Sequence, residues 1–236
     1  MIERVERLCI RLLPWPTAVA FLVSLWAVFV WVPTERMQGP VQRIFYYHVP
    51  SAWVGFLGIF IACGASIVYL YNRRTEWDHA AHAGVEVGVL FATIVLITGP
   101  FWARPIWGTW WTWDSRLTTT LILWLIFVAY LLMRQFTHGS ETGARFAAVL
   151  AIVGTLDIPL IILSTRLWRT IHPAVLRTRE GESGLTDPAM ITTLLICVAA
   201  FTMLFGWLWA LRLRTLRVAE RIELLEDEIE RGADRT

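Results

Sequence analysis

Six apolar stretches, each close to the length of a membrane helix, alternate along the chain with short Arg-bearing segments. The charge-free windows are Leu12–Thr34, Ile44–Asn72, Val87–Ala103, Leu117–Met133, Phe146–Thr165 and Pro188–Leu211, the fifth interrupted by Asp157. The third extends backwards through Glu86 to about Ala80. Crossing the hydrocarbon core takes roughly 20 mostly apolar residues. The runs are unbroken and lack period-two alternation, which predicts helices rather than strands. The expected fold is an all-α integral membrane protein with six transmembrane helices. The first window does not resemble a cleavable signal peptide, since its small residues Ala18 and Ala20 sit near its start and it ends on Trp31-Val32-Pro33.

Beyond Leu211 the apolar positions thin to a stripe of Leu213, Leu216, Ile222, Leu225 and Ile229, with Arg and Glu between them. This predicts an amphipathic tail helix over 212–236, following a membrane domain of 1–211. Glu223, Glu226, Asp227, Glu228 and Glu230 would repel anionic lipid, so a packed or partner-binding helix is favoured over a membrane-surface one. Placing the N-terminus in the cytoplasm puts thirteen arginines in inside segments and eight in outside ones. Positive-inside bias therefore predicts that both termini are cytoplasmic.

Composition narrows the chemistry. Of 236 residues, 56 % are hydrophobic and 17 % charged, and mean hydropathy is +0.55. A net charge of +2 gives no reason to expect a nucleic-acid partner. All 21 basic residues are Arg, so the chain has neither a P-loop lysine for ATP nor a Schiff-base lysine. Cys9, Cys63 and Cys197 form no CxxC or CxxCH motif, which argues against zinc and against covalently attached haem.

With six spans, the first, third and fifth loops share one face. The first carries Arg43 and His48-Val49-Pro50. The third runs from Trp102 to Arg116, and five of the chain's 14 Trp fall within its residues 102–113. The fifth carries Arg166, Arg169 and His172-Pro173. An interfacial aromatic belt accounts for scattered residues such as Trp15 and Trp31, but not for this density. Clustered indoles offer flat apolar faces that suit a large planar ligand, a porphyrin above all. His48 and His172 on the same face are then candidate axial ligands to its iron. Arg43, Arg104, Arg116, Arg166 and Arg169 are candidates for its propionates. Asp114 is expected to cap the helix that starts near Leu117, and also to orient an indole N–H or an Arg. His79, His82 and His138 read as solvated polar positions. Glu86 reads as reaching headgroups, and Asp157 as forming a structural hydrogen bond at a kink next to Pro159.

The run Trp107-Gly108-Thr109-Trp110-Trp111-Thr112-Trp113-Asp114-Ser115-Arg116 resembles the WWD motif of haem-handling membrane proteins, in the form found in the cytochrome c maturation protein C (CcmC) family. Tyr47-His48-Val49-Pro50 and Thr170-Ile171-His172 are similar to that family as well, and the likeness covers nearly the whole chain up to about Leu211. The chain departs from the family's usual pattern at Asp157, where Asn is more common, and at Leu167-Trp168, where a Trp pair is. The resemblance implies a bacterial inner-membrane protein that binds haem b transiently, as cargo, at the periplasmic face. His48 and His172 would be its axial ligands. Trp107, Gly108, Trp110, Trp111, Trp113, Asp114 and Arg116 would form the WWD loop's binding surface. It further implies presentation of haem to the chaperone CcmE, with CcmD and the transporter subunits CcmA and CcmB as partners and membrane lipid around it. No self-contained catalytic site is expected, ATP hydrolysis belonging to a partner. A b-type electron-transfer cytochrome and a stand-alone haem transporter remain as alternatives.

Overall fold

Proline sets several of the helix boundaries. The computed structural model describes residues 2–137, 140–168, 185 and 187–233. Its helices are α1 (Ile2–Leu12), α2 (Pro14–Trp26), α3 (Phe45–Asn72), α4 (Thr75–Trp107), α5 (Ser115–Thr137), α6 (Glu141–Thr155), α7 (Asp157–Leu167) and α8 (Pro188–Ala233). Pro14 opens α2, where its missing N–H costs nothing. A π-helical turn at Ala27–Trp31 closes that span, and Val32, held extended by the following Pro33, ends it. A 3₁₀ turn at Pro40–Ile44 leads into α3. Pro159 interrupts the fifth span: its ring collides with the carbonyl four residues back, and the helix breaks at Leu156 between α6 and α7.

Among the described residues, six stretches are long and apolar enough to cross a membrane: Pro14–Trp31, Pro40–Asn72, Thr75–Trp107, Ser115–Thr137, Glu141–Ser164 and Pro188–Gly232. Each contains most or all of one predicted window. The protein is an all-α, multi-pass membrane protein.

The antiparallel pair α3 and α4 forms the centre, and α5, α6 and α8 pack around it. Its closeness depends on glycine. A Cβ built on Gly58 would lie 2.6 Å from the carbonyl oxygen of Gly84, and one on Gly84 would lie 2.8 Å from that of Gly58. Small residues at such a crossing let the backbones touch, which is how helices gain packing energy in lipid. Ile59, Ala62, Val85, Phe127, Tyr130 and Ile161 fill the adjoining core.

The end of the bundle away from the Trp loop is held by ion pairs. Arg134 of α5 donates to both carboxylate oxygens of Asp78 on α4, at 3.0 and 2.7 Å. Arg212 of α8 pairs with Glu86, and His82 Nε2 lies 3.3 Å from the same carboxylate. Arg217 ties α8 to Glu3 and Glu6 of α1. His79 and His82 were expected to be solvated and Glu86 to reach headgroups. Instead the His79 and His82 side chains are 12 % and 15 % exposed, and His79 faces Glu220 across 3.8 Å. Glu220 and Arg212, distant in sequence, draw His79 and Glu86 inward, and His82 follows as the i, i+4 neighbour of Glu86. Asp157 is buried, and its Oδ2 has no hydrogen-bond partner among the described residues, so that oxygen does not make the expected bond at the break. His138 lies outside the described residues.

α8 is one helix of 46 residues, about 69 Å at 1.5 Å per residue. A hydrocarbon core of about 30 Å cannot contain it. Its apolar stripe divides: Leu213 and Leu216 pack on the bundle, whereas Ile222, Leu225 and Ile229 are exposed.

Candidate functional site

His48 sits one turn into α3 and is only 6 % exposed. Its Nδ1 lies 2.8 Å from Oγ1 of Thr98 on α4. Its ring meets Trp102 edge-on, with centroids 5.7 Å apart. Trp102, four residues after Thr98, falls on the same face of α4 and is itself buried, with Nε1 donating to Gln38 Oε1 at 3.0 Å. The close α3–α4 crossing thus brings His48 against the last turns of α4.

α4 runs four residues past the predicted window and ends on Trp107, so Trp102 and Trp107 are helical and the loop proper starts at Gly108. Gly108 caps the helix in the left-handed region (φ +73°), which only glycine enters without strain, and its N–H closes on the Arg104 carbonyl at 3.0 Å. Arg104 in turn donates to the Gly108 carbonyl. Thr109 Oγ1 donates to the Trp111 carbonyl at 3.0 Å. Asp114 then caps α5 as expected, its Oδ1 accepting the Leu117 N–H at 3.0 Å. The indoles stand edge-to-face rather than in one stack: Trp111 on Trp113 at 5.8 Å, and Phe101 on Trp110 at 5.7 Å.

Between α3, the end of α4, this loop and the start of α5 lies a cavity of about 270 Å³. Of the candidate residues, His48, Trp107, Trp110, Trp111 and Arg116 line it together. Arg116 is the one charged side chain among the described lining residues. Apart from Thr120 the remaining walls are apolar, with Phe56, Val95, Pro100 and Leu123 among them, and Ile161 of α7 contributes from the broken span. Gly108 and Asp114 act instead by shaping the loop, and Trp113 stands 75 % exposed at its outer side. Trp111 Nε1 is buried without a hydrogen-bond partner among the described residues.

Not every candidate meets here. His172 and Arg169 lie outside the described residues, as does the Arg166 side chain. Arg43 donates to the Phe29 carbonyl at 3.2 Å, and Arg104 is engaged with Gly108, so each has a local backbone partner. The sequence reading did not single out Thr98, and it placed Trp53, which also lines the cavity, in the interfacial aromatic belt. For Thr98 a signal existed, its i, i+4 spacing to Trp102, but nothing marked that face of α4 as the one turned to His48.

Apolar walls, flat indoles, one buried imidazole and one guanidinium are a chemistry suited to a planar apolar ligand that carries an acidic edge and a metal centre. Known proteins are similar to this chain over most of its length. The family model described as "Heme exporter protein C" matches residues 2–227. A Heme exporter protein C of Bradyrhizobium diazoefficiens is 34 % identical over 218 residues, 92 % of this chain and 82 % of that one. The Heme exporter protein C of Escherichia coli K12 is 31 % identical over 218 residues, 90 % of this chain and 86 % of that one. A "putative cytochrome c biosynthesis ccmC-like mitochondrial protein" of Marchantia polymorpha is 32 % identical over 201 residues, 85 % of this chain and 82 % of that one. A match of this length, on a chain whose six spans and Trp loop stand as described, means that the chain belongs to the heme exporter protein C family.

Proposed function

We propose that this chain serves haem export for c-type cytochrome biogenesis, holding haem b as transient cargo in the cavity between α3, α4 and α5 and presenting it to the chaperone CcmE. One observation carries the reading: a buried imidazole, His48, opens onto a cavity walled by Trp107, Trp110 and Trp111. His48 supplies one axial bond to the iron. The indoles bear on the macrocycle, and Arg116 pairs with a propionate through charge-assisted hydrogen bonds. At about 270 Å³ the cavity falls just below the usual range of roughly 300–1,000 Å³ for small-molecule sites. A macrocycle engaged there keeps part of its surface outside, as a cargo to be handed on requires. The half-exposed Trp110 and the exposed Trp113 provide a rim for it.

The family likeness supports His172 as the second axial ligand. Its segment joins α7 to α8; α7 contributes Ile161 to the cavity, and Met190 and Leu194 of α8 pack with Phe45 and Trp102. The same likeness supports the bacterial inner membrane as the location, with the haem site periplasmic and CcmD, CcmA and CcmB as partners, and the arginine bias supports cytoplasmic termini. A chain without lysine has no P-loop lysine of its own, which agrees with ATP hydrolysis by a partner subunit.

The test is an absorption spectrum of the chain purified with haem. His48→Ala and His172→Ala should each change the iron's spectrum, and external imidazole should restore it in part by filling the vacated axial position. An unchanged low-spin spectrum in both variants would overturn the assignment. A redox titration during delivery separates this function from that of an electron-transfer cytochrome, which would cycle its iron without losing it.

A further inference from the structure

We propose that Thr98 is a positioning residue for His48, selecting the ring nitrogen that faces the cargo's iron. The inference rests on the reading of His48 as a haem ligand.

A threonine hydroxyl has one proton to donate and two lone pairs to accept with. Thr98 Oγ1 lies 2.7 Å from the carbonyl oxygen of Ile94. A carbonyl oxygen only accepts, so the Thr98 proton lies in that contact. His48 Nδ1 is 2.8 Å from the same Oγ1. With its proton committed to Ile94, Oγ1 can only accept there, and Nδ1 must carry the imidazole hydrogen. In a neutral ring the lone pair then resides on Nε2. Nε2 has no hydrogen-bond partner among the described residues, and the ring lines the cavity.

Packing alone would not make this choice. Trp102 stands edge-on at 5.7 Å and constrains the plane of the imidazole. It does not distinguish the ring from its half-turn flip, which exchanges Nδ1 with a carbon. A flipped ring would leave Oγ1 facing a C–H. The other tautomer would set two lone pairs against each other at 2.8 Å or pull Thr98 off Ile94. Thr98 excludes both. Its acceptance from Nδ1–H also makes Nε2 a better donor to a metal, as second partners of ligating histidines do. Thr98 does not itself line the cavity, so it acts through His48 alone.

The experiment uses the full chain in lipid. Without haem, ¹⁵N-histidine solid-state NMR, with the His48 signal assigned by its loss in His48→Ala, should show the Nδ1–H form in the native protein and in Thr98→Ser. That preference should be lost in Thr98→Val. With haem, Thr98→Val should weaken retention roughly tenfold to a hundredfold, with Thr98→Ser close to native. In a His48→Ala background Thr98→Val should add nothing, whereas a residue that merely supports the fold would still cost retention there. Thr98→Ala serves the same comparison if Thr98→Val does not accumulate. Native tautomer and native retention in Thr98→Val, or an equal loss in the His48→Ala background, overturns the role of Thr98 alone. An unchanged haem spectrum in His48→Ala overturns the ligand reading and this inference together.

Discussion

The α3–α4 crossing makes a quantitative demand on Gly58. A Cβ there would stand 2.6 Å from the Gly84 carbonyl oxygen, 2.9 Å from Gly88 Cα and 3.0 Å from Gly88 N. All three are backbone atoms and cannot rotate aside. Ordinary van der Waals contact begins near 3.4 Å, so Gly58→Ala must part the helices locally by about 0.8 Å. A gap of 0.5–1 Å forfeits about a quarter to a half of each dispersion contact along the seam. Overpacking of this kind costs about 1–3 kcal/mol, which for a chain of this size is about 2–12 °C in Tm. Two other glycines of α3 provide the controls. Gly55→Ala meets its nearest atoms at 3.5 and 3.6 Å, an ordinary contact, and Gly64→Ala meets nothing within 4 Å. Thermal unfolding followed by tryptophan fluorescence in one detergent should therefore rank Gly58→Ala well below Gly55→Ala and Gly64→Ala, with the latter two near native. Because His48 and Thr98 stand on the two helices being parted, Gly58→Ala should also reduce haem retention. Equal melting of Gly58→Ala and Gly64→Ala would refute the close crossing and the placement of His48 that depends on it.

Three further outcomes are expected. Trp111→Ala removes one buried-edge indole worth about 1–3 kcal/mol of apolar contact; haem content on purification should fall roughly fivefold or more, and imidazole should not restore it, unlike His48→Ala. Arg134→Met strands the Asp78 carboxylate in a contact where both side chains are about a tenth exposed. It should destabilise the protein by about 3–5 kcal/mol, and Asp78→Leu with Arg134→Met should recover most of that in the same melting assay. Removing residues after Arg217 leaves Leu213, Leu216 and the Arg217 pairs with Glu3 and Glu6 in place. Haem binding should persist while assembly with partner subunits weakens, and loss of bound haem would show that the tail supports the fold.

What the sequence alone determined here are the features that sum over neighbours in the chain. Six spans were legible because about twenty apolar residues decide insertion whatever surrounds them. The Asp114 cap was legible because a cap acts within three residues of itself; the end of α4 was not, since the apolar window closes at Ala103 and the helix runs on to Trp107. The candidate cluster of His48 with the Trp loop followed from counting spans, since alternation of direction places odd loops at one end. Tertiary structure decided which faces of those helices meet. His48 finds Thr98 fifty residues away, and Glu86 finds Arg212 at a separation of 126. Rotation of a helix about its axis is set by side-chain fit, here by Gly58 against Gly84, and an apolar stretch carries no mark of it when lipid and core are equally apolar. For the same reason His79 read as solvated and Glu86 as reaching headgroups: their local surroundings are those of any helix end, and Glu220 and Arg212 become their partners only when α8 is laid beside α4. The tail stripe has one periodicity throughout, yet packing buries Leu213 and leaves Ile229 exposed, because periodicity records a face and only the fold records where the bundle beneath it stops.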